Sequence, residues 1–170
     1  MKILGVTIDS DMSFRSHINQ IASRLRARMW ALAKLRKKGL PTDKLIRAYT
    51  ALIRPVGEYA CPAWHSLITA DQAAYLECQQ TQALKNIYGL GMSAEKMRKK
   101  SGIELLSTRR LKIMKKFASK CVTNQRTSQW FQERRKSLYE RRTNITYPRY
   151  HEPVARTDRY QNSPRTLLSD

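Results

Sequence analysis

The side chains best equipped for chemistry in this sequence are cations. Arg24, Arg26, Arg28, Lys34, Arg36, Lys37 and Lys38 form one cluster, and Lys96, Arg98, Lys99, Lys100, Arg109, Arg110 and Lys112 form a second. Residues 13 to 42 hold eight basic side chains and no acid. Guanidinium and ammonium groups at that density serve to neutralise phosphates. A run of charge is ordinarily a solvated surface. Here 33 Lys and Arg face 13 Asp and Glu, a formal charge of +20, and a folded chain so charged repels itself unless a polyanion answers it. RNA or DNA is therefore the expected partner. Such contacts position a backbone without reading its sequence, and net charge does not distinguish RNA from DNA.

Other chemistry has weaker support. Cys61-x-x-x-His65, with Cys78 and Cys121, comes nearest to a metal set, but structural zinc sites bring ligands as two tight pairs. Cys78 and Cys121 fall at expected helix-core positions, as buried free thiols. His17, His65 and Cys61 lack a third group to orient a nucleophile–base pair. No catalytic residue, metal or cofactor is assigned. Three cysteines are too few for a disulfide framework and suit a reducing compartment. No run approaches the roughly 20 apolar residues of a membrane span, and no secretory leader opens the chain. A nuclear or cytoplasmic protein without membrane partners is expected, although Arg36-Lys37-Lys38 is too short to mark the nucleus.

Helices must carry these cations. Six Gly and six Pro interrupt a chain that is 41% hydrophobic, and its apolar periodicity is helical. The expected fold is mainly α: one short β-strand, a helical bundle and an extended basic C-terminal tail. Lys2 to Ile8 reads as the strand, orphaned because one strand is not stable alone. A helix over 13–38, capped by Asp11 or Ser13, puts Ile18, Ile21, Leu25, Met29, Leu32 and Leu35 on one face. Gly39 and Pro41 end it. Thr42 opens a second helix with Leu45, Tyr49, Leu52, Val56 and Tyr59 in one stripe, and Pro55 should kink or split it near Ile53. Tyr49, Tyr59 and Trp64 are expected in the core, and Arg54 and Glu58 as an ion pair four residues apart.

A third helix covers 70–88, from a Thr69 cap to Gly89. Ser93 caps a short basic helix closed by Gly102, and Ser107 caps another with Leu111, Met114, Phe117, Ala118 and Cys121 inward. The expected organisation is a strand at 1–12, a bundle at 13–88, a helical extension at 89–124 and a partly disordered tail at 125–170. In that tail Arg156, Arg159 and Arg165 alternate with Tyr147, Tyr150 and Tyr160, a pattern suited to single strands.

Three stretches together resemble the C-terminal end of reverse transcriptases from LINE-type, non-long-terminal-repeat retrotransposons. They are Ile3-Leu4-Gly5-Val6-Thr7-Ile8-Asp9-Ser10-Asp11-Met12-Ser13-Phe14, then Leu52-Ile53-Arg54-Pro55-Val56-Gly57-Glu58-Tyr59-Ala60-Cys61-Pro62-Ala63-Trp64-His65, then Ala155-Arg156-Thr157-Asp158-Arg159-Tyr160. The resemblance implies that Leu4 and Gly5 correspond to the primer grip at the end of the palm. The helices after them would form the thumb, which closes over the template–primer duplex. Fingers, most of the palm and the paired metal-binding aspartates would lie outside this chain, since no Asp-Asp pair occurs and Asp9 and Asp11 follow the grip. Met1 falls where the family has an internal residue, so a start within a longer reading frame is expected, non-catalytic alone and lacking its palm and fingers. The alternatives are an independent basic helical RNA- or DNA-binding protein, or a transposon relic with no selected function. The opening segment also resembles a short piece at the N-terminus of an AlkB-type tRNA-modifying protein, but no His-x-Asp…His iron motif accompanies it.

Overall fold

The computed structural model describes residues 1–130; the tail pattern from Tyr147 to Arg165 lies outside them. Leu4 and Gly5 have φ of 46° and 84°, as both central residues of a type I′ turn require. The chain therefore reverses there, which corrects the expectation of one continuous strand. β1 (Lys2–Ile3) and β2 (Val6–Thr7) pair antiparallel, Lys2 opposite Thr7 and Ile3 opposite Val6. The hairpin is not orphaned either. Val6 is buried, the Thr7 amide donates to His17 Nδ1 at 3.3 Å, and the Tyr59 hydroxyl donates to the Leu4 carbonyl at 2.9 Å.

The long helix α1 (Arg15–Lys37) starts after Phe14, which is buried in a left-handed conformation (φ 53°) and provides no side-chain cap. Ser13 Oγ, one of the expected caps, accepts from the Arg15 amide at 3.4 Å, and a further cap comes from Asp9. Its Oδ2 accepts from the Ser16 amide at 3.0 Å, a carboxylate at the positive end of a helix. Hydrogen bonds from Ser16, then Ser13, hold Asp9 below the usual carboxylate range. At the other end Gly39 (φ 83°) closes a Schellman motif, with the Gly39 and Leu40 amides donating to the Arg36 and Leu35 carbonyls. Ile18, Ile21, Leu25, Met29 and Leu32 are buried as expected, with His17 and Ala22 added; Leu35 is exposed.

Pro55 does interrupt the second helix, and the manner matters. α2 (Thr42–Ala48) passes through a π-helical turn (Tyr49–Ile53) into the short α3 (Arg54–Glu58), with Pro55 in its first turn. A π turn holds one more residue than an α turn, so the inward face is delayed by one. The buried stripe is Leu45, Tyr49, Ile53 and Gly57, while Leu52 and Tyr59, expected inside, are 61% and 55% exposed. Tyr49 and Trp64 are core residues as expected.

α4 (Ala70–Tyr88) begins with a full capping box. Thr69 Oγ1 accepts from the Gln72 amide and Gln72 Oε1 from the Thr69 amide, at 3.3 and 2.8 Å. Its buried residues Leu76, Gln80, Ala83, Leu84 and Ile87 make the main helix–helix packing, with α1. Each large aliphatic side chain buried there contributes about 1.5–3 kcal/mol. α5 (Ala94–Ser101) runs from a Ser93 cap to Gly102 (φ 66°). α6 (Leu106–Thr123) is not capped by Ser107: the Glu77 carboxylate of α4 accepts from the Leu106 and Ser107 amides at 3.2 and 2.6 Å.

The chain divides into two units, Met1–Arg110 and Leu111–Asp170, at a boundary within α6. In the described part of the second, Met114, Ala118 and Cys121 are buried, and Phe117, expected inward, is exposed. A 3-10 turn follows at Ser128–Trp130. Among the described residues no helix is long and apolar enough to cross a membrane, and no grouping of His, Cys, Asp and Glu suits a metal ion.

Candidate nucleic-acid interface

α1 places its cations by simple periodicity. Arg24 and Arg28 are four residues apart and share one flank. The hairpin turn and α3 face that flank, enclosing a cleft of about 380 Å³ lined by Gly5, His17, Ile21, Arg24, Arg28, Pro55, Val56 and Tyr59. No acidic residue lines it. Arg28 donates to the Leu52 carbonyl in the π turn. Tyr59 stands over Gly5, where an added Cβ would lie 3.3 Å from its Cε1, and φ is +84°. The turn's positive φ favours glycine at position 5, and the ring above it leaves a Cβ little room. Leu4, at the tip, is 87% exposed.

His17 joins the hairpin to α1. Its Nδ1 accepts from Thr7, so the neutral ring carries its proton on Nε2. Burial first, then the Arg24 charge, hold its pKa below the usual value. His65 is held lower, at about 4, by burial and Arg110. Cys61 is buried and its thiol pushed up to about 11 by desolvation, the reverse of a reactive cysteine. These groups belong to the packing around Trp64. Its Nε1 donates to the Tyr59 carbonyl at 3.0 Å, and both imidazoles meet it edge-on.

The other cations of the first cluster are exposed. Arg26 donates to the Tyr75 hydroxyl at 2.6 Å, Lys34 Nζ lies 3.6 Å above the Trp30 ring, and Arg36 donates to the Asn86 carbonyl at 3.3 Å. Lys37 and Lys38 end α1 in solvent. In α5, Lys96, Lys99 and Lys100 are exposed and Arg98 is half-buried, with Lys100 5.6 Å from the Tyr88 ring. Lys112 is exposed in the second unit.

Two expected phosphate contacts are corrected. Arg109 is bound to Glu58 through both carboxylate oxygens, at 2.9 and 3.3 Å, a fork that leaves little of its charge for an outside anion. The hydrogen bond to Glu58 raises its pKa further. Glu58 also takes the expected pair with Arg54, at 3.5 Å. Arg110 is fully buried, its guanidinium 5.5 Å from the Trp64 ring. Burial pulls its pKa down, opposed first by Glu77. It cannot touch a phosphate. Cys78, expected in the core, is exposed on α4.

Sequence reasoning placed Tyr59 in the core and passed over Trp30, Gln82 and Lys85. Trp30 had a signal: it falls off the apolar stripe of α1, among the cations. Tyr59 had none, because the π turn that rotates it outward is not visible in the apolar spacing. Compared with protein-family models, with curated proteins and with solved structures, the chain matches nothing significantly in any of the three.

Proposed function

We propose that this chain is the non-catalytic thumb and C-terminal part of a LINE-type retrotransposon reverse transcriptase, gripping an RNA–DNA template–primer duplex. One observation carries the reading. The Leu4-Gly5 turn, the segment that resembles the primer grip, forms a wall of the same cleft as Arg24 and Arg28. That cleft offers two cations and an exposed tyrosine, with no acid to repel a backbone. Met1, Ile3 and Leu4 add an exposed apolar edge, the kind of surface another domain covers. In this reading the palm and fingers are supplied by residues beyond this chain, and polymer synthesis is theirs.

A second reading, an independent basic RNA- or DNA-binding protein, has its own support. Val6 and Phe14 are buried and the hairpin is tied to α1 and Tyr59, so the strand pair does not wait for a sheet from elsewhere.

Both readings require salt-sensitive binding. With roughly 6–10 phosphates neutralised, affinity for a labelled RNA–DNA duplex falls by about 10³–10⁵ between 50 and 200 mM salt. Replacing Arg24 and Arg28 by Gln together lowers the log–log salt slope by about 1.8, two contacts at about 0.9 each. A folded chain that ignores the duplex at 50 mM salt refutes both readings. Metal-dependent primer extension by the purified chain refutes the non-catalytic assignment.

A further inference from the structure

The two flanks of α1 differ. Lys37 follows Arg28 by nine residues, about two and a half turns at 3.6 residues per turn, and so lies on the opposite side of the helix. There, between the last turns of α1 and α4, runs a second groove of about 580 Å³, lined among others by Arg36, Lys37, Gln82, Lys85, Asn86 and Leu90. We propose that this groove holds a single-stranded segment of nucleic acid, with phosphates on Arg36, Lys37 and Lys85 and unpaired bases against Trp30 and the Gln82–Asn86 amides. The inference rests on the nucleic-acid reading above and adds a second, distinct surface to it.

Charge and donor chemistry point the same way. No acid lines the groove, and neither Lys37 nor Lys85 is in a salt bridge among the described residues. Arg36 is held in place: it donates to the Asn86 carbonyl and crosses Gly89, where a Cβ would sit 3.2 Å from its Nη2. Gln82 Nε2 donates to Asn86 Oδ1 and Asn86 Nδ2 to the Met29 carbonyl, both at 3.3 Å, which leaves Gln82 Oε1 and one N–H of each amide for base edges. Trp30 is 62% exposed, one turn before Ala33 of the groove, with the Lys34 ammonium over its ring. Amides and an exposed indole serve unpaired bases, because paired bases are stacked and hidden from such groups. The volume is in the range of small-ligand sites. Cations in a last helical turn also complement the helix dipole, a role that would leave nucleic-acid binding untouched by their loss.

The test compares labelled single-stranded oligo-dT and oligo-U with an RNA–DNA duplex, using the full chain and fluorescence anisotropy. Circular dichroism first verifies that each variant is folded. Lys37→Gln with Lys85→Gln should weaken single-strand binding about tenfold and reduce its salt slope by about 1.4, two contacts at about 0.7 each, with a much smaller loss on the duplex. Trp30→Ala should weaken it about tenfold and Trp30→Phe much less, since stacking needs a ring. Unchanged single-strand affinity in all variants, with duplex binding intact, overturns this inference and leaves the duplex reading standing. Equal losses on strand and duplex overturn it too. So does loss of binding to anionic phosphatidylserine vesicles while oligonucleotide binding persists. A wild-type chain that binds neither nucleic acid overturns both readings.

Discussion

Removing the Glu77 carboxylate should loosen the start of α6 more than any exposed substitution on α1 does. The first amides of a helix have no partner within it, and here the Leu106 and Ser107 amides have Glu77, at 3.2 and 2.6 Å. Hydrogen bonds to a charged group contribute about 1.5–3 kcal/mol each, but the carboxylate is itself desolvated to make them. Glu77 is also the leading attraction on the buried Arg110 guanidinium, so its loss leaves that charge poorly compensated. The net cost of Glu77→Ala is about 3 kcal/mol from these two terms. At roughly 2–4 °C per kcal/mol for a chain of this size, the midpoint should fall by about 6–12 °C. Glu77→Gln keeps one acceptor oxygen and should lose about half as much. Thermal unfolding followed at 222 nm reads both, with Ser23→Ala, on the exposed face of α1, expected within about 0.5 kcal/mol of wild type. A Glu77→Ala midpoint within 2 °C of wild type would show that α6 is not held by this carboxylate.

Three further outcomes follow from the geometry. Gly5→Ala, forced to keep φ near +84° beneath Tyr59, should cost about 1–3 kcal/mol by chemical denaturation, whereas Gly91→Ala, with nothing within 4 Å, should be nearly silent. Burial, then Arg110, hold His65 at about 4 against the usual 6.5, so the unfolded chain takes up a proton in that window and the folded chain does not. Stability should be full above pH 6.5 and decline as pH falls toward 4, and His65→Gln should flatten that decline; His17 is shifted in the same direction, while Asp9 and Asp11 act only below the carboxylate value of 3.8. Of the three thiols only Cys78 is exposed, so a chromogenic disulfide should label one thiol quickly and the others only on unfolding; fast labelling of two would contradict the burial of Cys61 or Cys121.

The helical character was legible, and so were several boundaries. Thr69, Ser93, Gly39 and Gly102 act locally, and their chemistry shows within four residues of sequence. What escaped depended on distant partners. Asp9 joined Ser13 at the start of α1 because the left-handed Phe14 turns the chain back toward it. Glu77 displaced Ser107 because the helix it caps begins nearly thirty residues later. Arg109 and Arg110 are neighbours with opposite fates, decided by Glu58 on one side and Trp64 on the other. Of the candidate site, the exposed cations of α1 and α5 were read from their place off the apolar stripe. The Leu4-Gly5 turn was read as straight strand because Ile3, Val6 and Ile8 are all β-formers, and the apolar pattern hid the glycine.

The π-helical turn at Tyr49–Ile53 works like a vernier between two parts of one rod. The extra residue it stores sets how far α3 is rotated relative to α2. Winding the same residues as an ordinary α-helix, with none removed, would swing everything downstream by about 100°. Glu58 would then leave Arg109 and Tyr59 would leave the hairpin, with the composition of the segment unchanged. Spacing across that turn therefore constrains the cleft more tightly than the identity of any one side chain within it.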